Sequence, residues 1–318
     1  MLKLKNCPVG NSQNIHFRNK AGTSDAPKEP LKWSVGGCDD CGLGFLDPQP
    51  TWEELIPYYP PDYLCYTTSV EDEERVVEEA RQRGEYRHIP IPVGKRLLDV
   101  GCGGGSFLQV LKKLGVEVKG VDPGVSATAA ARDSGLDVFT GTLEEYIAQH
   151  GTDEKFDVIT CSHVLMATPS PVETLDCMRQ LLAPNGYIWV AVPNADCESA
   201  RQLGWRWHST YFPRNIIQFT PKTLSKAGEV AGRGNSPTVH LFFPRSGGFF
   251  ALFAVALWLV HTAQNFQALA VGKLSQAGSA GIGLAQRRRG NSHGILSPSK
   301  LELISIPLAP SALLTVDC

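Results

Sequence analysis

The run LLDVGCGGGSF, from Leu97 to Phe107, constrains this chain more than any other segment. An apolar stretch enters a turn made almost wholly of glycine, and Ser106-Phe107 then opens a helical pattern, so the run reads as strand, sharp turn and helix. Glycine permits the positive φ angles a sharp turn needs. At Gly101 and Gly103 the missing side chains leave space for a ligand against the N–H groups and the helix start. Twenty-three positions after Asp99, the next apolar run ends in Gly120-Val121-Asp122. An acid there can accept hydrogen bonds from both hydroxyls of a ribose, so the two features together predict a nucleoside-containing cofactor at the carboxyl ends of adjacent strands.

The pattern continues downstream. Residues 96–100, 117–121, 137–139, 156–161 and 187–192 read as strands, and helical patterns fall near 105–114, 125–134, 143–149 and 171–183. This alternation predicts an α/β, doubly wound, mostly parallel sheet. Pro171 suits a first helical turn, Leu175, Met178 and Leu182 recur at helical spacing, and Pro184-Asn185-Gly186 turns the chain into the fifth strand. Upstream, Thr51-Trp52-Glu53-Glu54 fits a capping box. Glu71 to Arg75 and Glu79 to Arg83 are i,i+4 pairs on a helix that Gly84 would stop. Four zones follow: a small Cys-containing module (1–65), a helical linker (66–95), the sheet domain (96–245), and an apolar helix with a low-complexity, irregular tail (246–318). Thr238–Phe243 is the candidate sixth strand; the seventh either comes from Leu301–Ile306 or is absent.

Thirty basic against thirty-two acidic side chains give a net charge of −2, so no global field draws the chain to nucleic acid. Nine scattered cysteines do not make a disulfide framework, and the start MLKLKNCPVG has no apolar h-region, so the expected location is cytoplasmic with reduced thiols. Cys102, Cys161, Cys177 and Cys197 are expected as buried thiols. Phe249–Val260 is an unbroken apolar run, and 249–271 reaches a spanning length only across several polar residues. A buried or pocket helix, a peripheral membrane contact and a span all remain open for it.

A dinucleotide fingerprint from Gly101 requires glycine at position 106, where Ser106 stands. The chain instead has D-x-G-x-G-x-G from Asp99 to Gly105, and an acid before the first glycine suits a cofactor bearing an ammonium group. With Phe156–Leu165 and Leu181–Tyr187, these residues resemble the class I S-adenosylmethionine-dependent methyltransferases, over about residues 1–230. The N-terminal cysteines and the Pro-rich bridge are similar to a bacterial subgroup with a zinc-ribbon-like module, acting mostly on small molecules such as sugars and secondary metabolites. The resemblance implies S-adenosylmethionine as cofactor, with Asp99 meeting its ammonium, Gly101, Cys102, Gly103 and Gly105 offering backbone, and Asp122 holding the ribose. Thr142 and Leu143 would flank the adenine, and Ser162 and His163 would line the methyl side, His163 being the candidate catalytic base with His208 behind it.

Two departures stand out. Met166-Ala167 replaces a usual Glu-His, and Asn215 stands where a His is usual. In the Cys module, Cys38-Asp39-Asp40-Cys41 is a complete knuckle, but Cys7-Pro8-Val9-Gly10 lacks its second cysteine. Cys7, Cys38 and Cys41 are therefore three zinc ligands that His16 or Cys65 would complete, or the remnant of a lost site. The leading expectation is methyl transfer to a small-molecule or carrier-bound acceptor. RNA base methylation and cofactor binding without turnover are the alternatives.

Overall fold

The computed structural model describes residues 3–20, 33–66, 69–204, 207–232, 241–242 and 312–317, and all of these fall in one compact unit. Near the N-terminus, β1 (Ile15–Lys20), β2 (Ser34–Cys38) and β3 (Gly44–Asp47) pair antiparallel. The short α1 (Trp52–Leu55) starts on the expected capping box, with Thr51 Oγ1 accepting from the Glu54 amide and Glu54 reaching back to the Thr51 amide. Next, α2 (Glu73–Arg83) stops at Gly84 in the left-handed region (φ 70°), as the sequence predicts. Arg75 pairs with Asp72 and Glu79 rather than with Glu71. A small hairpin follows, β4 (Glu85–Tyr86) with β5 (Ile89–Pro90).

The main sheet then builds by strand and helix in turn: β6 (Arg96–Val100), α3 (Ser106–Lys113), β7 (Glu117–Asp122), α4 (Val125–Asp133), β8 (Asp137–Thr140), α5 (Leu143–His150), β9 (Phe156–Ser162), α6 (Pro171–Leu181) and β10 (Leu182–Pro193). Every pairing among these strands is parallel, in the order β10-β9-β6-β7-β8. The chain reverses direction across the sheet between β6 and β9, which opens a crevice at the carboxyl ends of these strands. Leu175 and Met178 are buried against the sheet as their spacing implies. The Pro184-Asn185-Gly186 turn is an irregularity inside β10, where pairing with β9 shifts between Leu182 and Tyr187.

Beyond β10 come α7 (Glu198–Leu203), β11 (Ile217–Gln218), α8 (Pro221–Ala231), β12 (Leu241–Phe242) and β13 (Ala312–Asp317). β11 leaves the main sheet and pairs with β3, completing the N-terminal sheet in the order β1-β2-β3-β11. One hydrophobic cluster accordingly runs from Val35, Phe45 and Leu46 through Ile217 and Phe219 to Leu98, Val100 and Ile159 of the main sheet. β12 agrees with the expected sixth strand in its described part. The seventh is neither absent nor at 301–306: β13 lies between β10 and β12, parallel to both. The segments 249–271 and 301–306 lie outside the described residues, among which no helix is long and apolar enough to cross a membrane. Cys102, Cys161 and Cys177 are buried free thiols, whereas Cys197 is disulfide-bonded, which corrects the expectation of a thiol there.

Candidate functional site

The glycine loop leaves β6 with Gly101, Gly103 and Gly105 at φ 76°, 53° and 81°, a run of left-handed positions that side chains disfavour. The expected space beside two of them is taken by the protein itself. A Cβ at Gly101 would lie 2.1 Å from Val164 Cγ2, and one at Gly103 would lie 2.2 Å from the carbonyl oxygen of Cys65. The amides are also committed: Gly101 N and Cys102 N donate to Val121 O, Gly103 N to Asp122 Oδ2, Gly104 N to Cys65 O and Gly105 N to Cys102 O. This corrects the expectation that a ligand rests on N–H groups here. With every amide spent the loop has no donor left for a pyrophosphate, and three of its carbonyls are engaged as well: Cys102 O accepts from the Gly105 amide, Gly103 O from the Cys102 thiol and Gly105 O from the Gln109 amide.

Asp99 and Asp122, at the ends of adjacent strands β6 and β7, are both buried. Burial pushes the Asp99 carboxyl up to about 7, although Thr160 donates its hydroxyl to Oδ1 at 2.7 Å. Burial likewise lifts Asp122 above the usual carboxylate range, against the amides of Gly124 (2.7 Å) and Gly103 (2.9 Å) that favour its charge. Asp99 thus takes a hydroxyl on one oxygen, and Asp122 takes a backbone amide on each of its two. Ser162 and His163 are exposed at the end of β9, the neighbour of β6 on its other side. His163 takes φ 56°, its amide donates to Ala191 O, and the following Val164 folds against Gly101. The structure thus gathers Asp99, the 101–105 loop, Asp122, Ser162 and His163 along three adjacent strand ends.

Thr142 follows β8, one strand further out, and caps α5, accepting from the Glu145 amide at 3.2 Å. Leu143 is 2% exposed and packs in the core. Met166 is buried, and Asn215 donates to Ser209 O at 2.8 Å, so both unusual positions serve packing or loop closure. The side chain of His208 lies outside the described residues.

The sequence reading missed an aromatic cap. Tyr59, Tyr63 and Tyr66 form a mutual cluster with ring centroids 5.2 to 6.4 Å apart, and Trp52 packs on Tyr59. The Arg214 guanidinium stacks over Tyr63 (5.4 Å) and Tyr211 (5.0 Å). Cys65, between these tyrosines, accepts the Gly104 amide, and the Tyr66 hydroxyl would lie 2.7 Å from a Cβ at Gly124. The cap therefore sits on the glycine loop and beside Asp122. Burial pushes the Tyr59 phenol up to about 12 and raises those of Tyr63 and Tyr66, so all three stay neutral donors. The signal was present as four tyrosines between positions 58 and 66, but it has no period to read.

Away from the crevice, the sulfurs of Cys7, Cys38 and Cys41 lie within 4.8 Å of one another, and all three residues are buried. Neither proposed fourth partner joins them. Cys65 is at the glycine loop, and His16 turns its Nδ1 to Asp39 at 2.8 Å.

A parallel sheet reversing at β6/β9, with a glycine turn between two buried acids, defines a Rossmann-like methyltransferase architecture. Residues 72–232, just over half of the 318, match the family profile described as a methyltransferase domain, and the chain belongs to that family. It is similar to the ubiquinone biosynthesis O-methyltransferase of Pasteurella multocida, 41% identical over 114 residues covering 32% of this chain and 47% of the relative. The protein of the same name from Aliivibrio fischeri is 34% identical over 169 residues, 47% of this chain and 71% of that one. The chain thus spans about half the length of the Pasteurella relative. A solved SAM-dependent methyltransferase from Archaeoglobus fulgidus is 26% identical, covering 50% of this chain and 68% of its own, with a TM-score of 0.40.

Proposed function

We propose that this chain transfers the methyl group of S-adenosylmethionine to a hydroxyl of a small or carrier-bound acceptor. The observation that carries the reading is the pairing of two buried acids with a loop whose amides are all spent, a cradle for an ammonium and a ribose. Asp99, once ionised, holds the ammonium; Asp122 accepts the ribose hydroxyls. Thr142, with the core residue Leu143 packed behind it, borders the adenine end, and Ser162 lies on the methyl side. The Tyr59-Tyr63-Tyr66 cap covers the loop and excludes water, which would compete with the acceptor. When bound, the cofactor supplies an electrophilic methyl carbon on a sulfonium, so the protein's part is to align the acceptor in line with it. His163, exposed at the rim, takes the acceptor's proton. The O-methyltransferase names of the relatives support oxygen as the accepting atom.

Calorimetric titration of the folded chain with S-adenosylmethionine at about pH 8 is the first test, and an absence of binding heat ends this reading. A second reading, cofactor binding without turnover, is favoured by Met166 and Asn215, which stand where polar catalysts are usual in the subgroup. It predicts binding without transfer to any hydroxyl acceptor, and turnover gained only when Met166→Glu and Ala167→His are introduced together.

A further inference from the structure

The incomplete knuckle at Cys7-Pro8-Val9-Gly10 has a neighbour that the sequence does not reveal. A Cβ built at Gly10 would lie 3.8 Å from Cys7 Sγ and 3.2 Å from the Nζ of Lys226, on α8. The corner that a fourth thiolate would fill therefore holds no cysteine and is closely bordered by the ammonium end of a flexible side chain, which has to shift by a few tenths of an ångström to admit a ligand. The three cysteine sulfurs are already gathered within 4.8 Å of one another. Cys7 Sγ and Cys41 Sγ are 3.7 Å apart, and the edge of a tetrahedron with metal–sulfur arms of about 2.3 Å is about 3.8 Å. The Gly10 amide already points at Cys7 Sγ from 3.3 Å, the orientation that supports a metal-bound thiolate. Asp40, in the second knuckle, has its carboxylate engaged by Ser12 and Asn14.

We propose that Cys7, Cys38 and Cys41 hold one zinc ion whose fourth position stays open at Gly10 and takes an exchangeable small thiolate, steered there by Lys226. Zinc accepts thiolate ligands with no demand beyond tetrahedral geometry. With three thiolates the site carries one net negative charge, and a fourth adds another, which the lysine ammonium offsets. Closed four-cysteine sites are inert supports, whereas an open corner exchanges ligands. The site lies outside the crevice, so this inference does not rest on methyl transfer.

The test uses the full chain, purified without added thiol. Elemental analysis is expected to give one zinc per chain, and replacement by cobalt as a spectroscopic probe to give a tetrahedral spectrum with thiolate charge-transfer bands. Titration with 2-mercaptoethanol should then shift both sets of bands. Gly10→Cys is expected to show the shifted spectrum at the outset and to ignore mercaptoethanol. Lys226→Met should keep the cobalt site and raise the mercaptoethanol midpoint by about fivefold, the size of one partly screened charge. A native chain that takes up no stoichiometric metal overturns the proposal, as does a cobalt spectrum indifferent to mercaptoethanol. Loss of the cobalt site in Lys226→Met would make the lysine a ligand and also overturn it. Every readout is the metal's own spectrum or content, so failure here is distinct from failure to bind S-adenosylmethionine.

Discussion

Asp99 carries a pH dependence that can be worked out in sign. Its folded pKa of about 7 lies above the usual carboxylate value, so without ligand the fold loses stability as pH rises from about 4 to about 7. Asp99→Asn removes that loss while leaving an acceptor for the Thr160 hydroxyl. Denaturant titration at about pH 8 is expected to find the variant more stable by roughly 2–4 kcal/mol without ligand, since each pKa unit is worth about 1.4 kcal/mol. The same substitution should abolish calorimetric binding of S-adenosylmethionine. In the native chain, affinity should rise between about pH 6 and pH 8 as Asp99 ionises to meet the ammonium. Gly101 tests the loop separately: alanine there combines a left-handed φ with a collision at Val164, and a loss of about 2–4 kcal/mol in folding stability is expected by thermal or chemical denaturation. At this scale the sequence showed that glycine was required, and not which atoms stand beside it. The neighbour of Gly103 comes from Cys65, far away in the chain, so no local pattern could name it.

Two groupings of elements brace opposite ends of the main sheet, the first at the amino ends of β6 and β9 and the second at the crevice. Glu154, in the loop before β9, joins Arg96 of β6, Lys119 of β7 and Tyr146 of α5. Burial opposes its charge, but the Tyr146, Arg96 and Lys119 hydrogen bonds prevail and hold its carboxyl down to about 2. An acid lowered in this way adds stability above its ordinary pKa and loses it as pH falls from about 4.5 towards about 2. Glu154→Gln should therefore cost about 1–3 kcal/mol at neutral pH, discounted for partial solvent exposure, and should flatten acid unfolding in that window. The second grouping is the tyrosine cap. Tyr66→Ala is expected to weaken S-adenosylmethionine binding about tenfold, mainly through faster dissociation in stopped-flow measurements. Strands β6–β10 were legible because apolar runs and glycine punctuation fix them locally. β13 was not: six residues beyond a simple-composition stretch become a strand only through the partners they find, β10 and β12.

Across the molecule, the cysteine-bearing N-terminal segment and the main sheet share a hydrophobic cluster and the strand β11. Leu43, Phe45 and Leu46 are fully buried, so removing residues 1–65 would strip β11 of its partner and expose the cluster around Ile217 and Phe219. The described unit is expected to melt in one cooperative transition by calorimetry, with coincident near- and far-UV signals; two separated transitions would mean that the shared cluster does not couple the sheets. The sequence marked a boundary near residue 65 from composition alone, because composition records what a segment contains and not what it packs against. The committed amides of the glycine loop have a consequence for redesign. Turning this scaffold towards nicotinamide dinucleotides by Ser106→Gly would complete a motif on paper and still leave phosphate oxygens without donors. Such an effort would have to begin by detaching the 65–66 turn and Asp122 from Gly104 and Gly103, the two amides they now occupy.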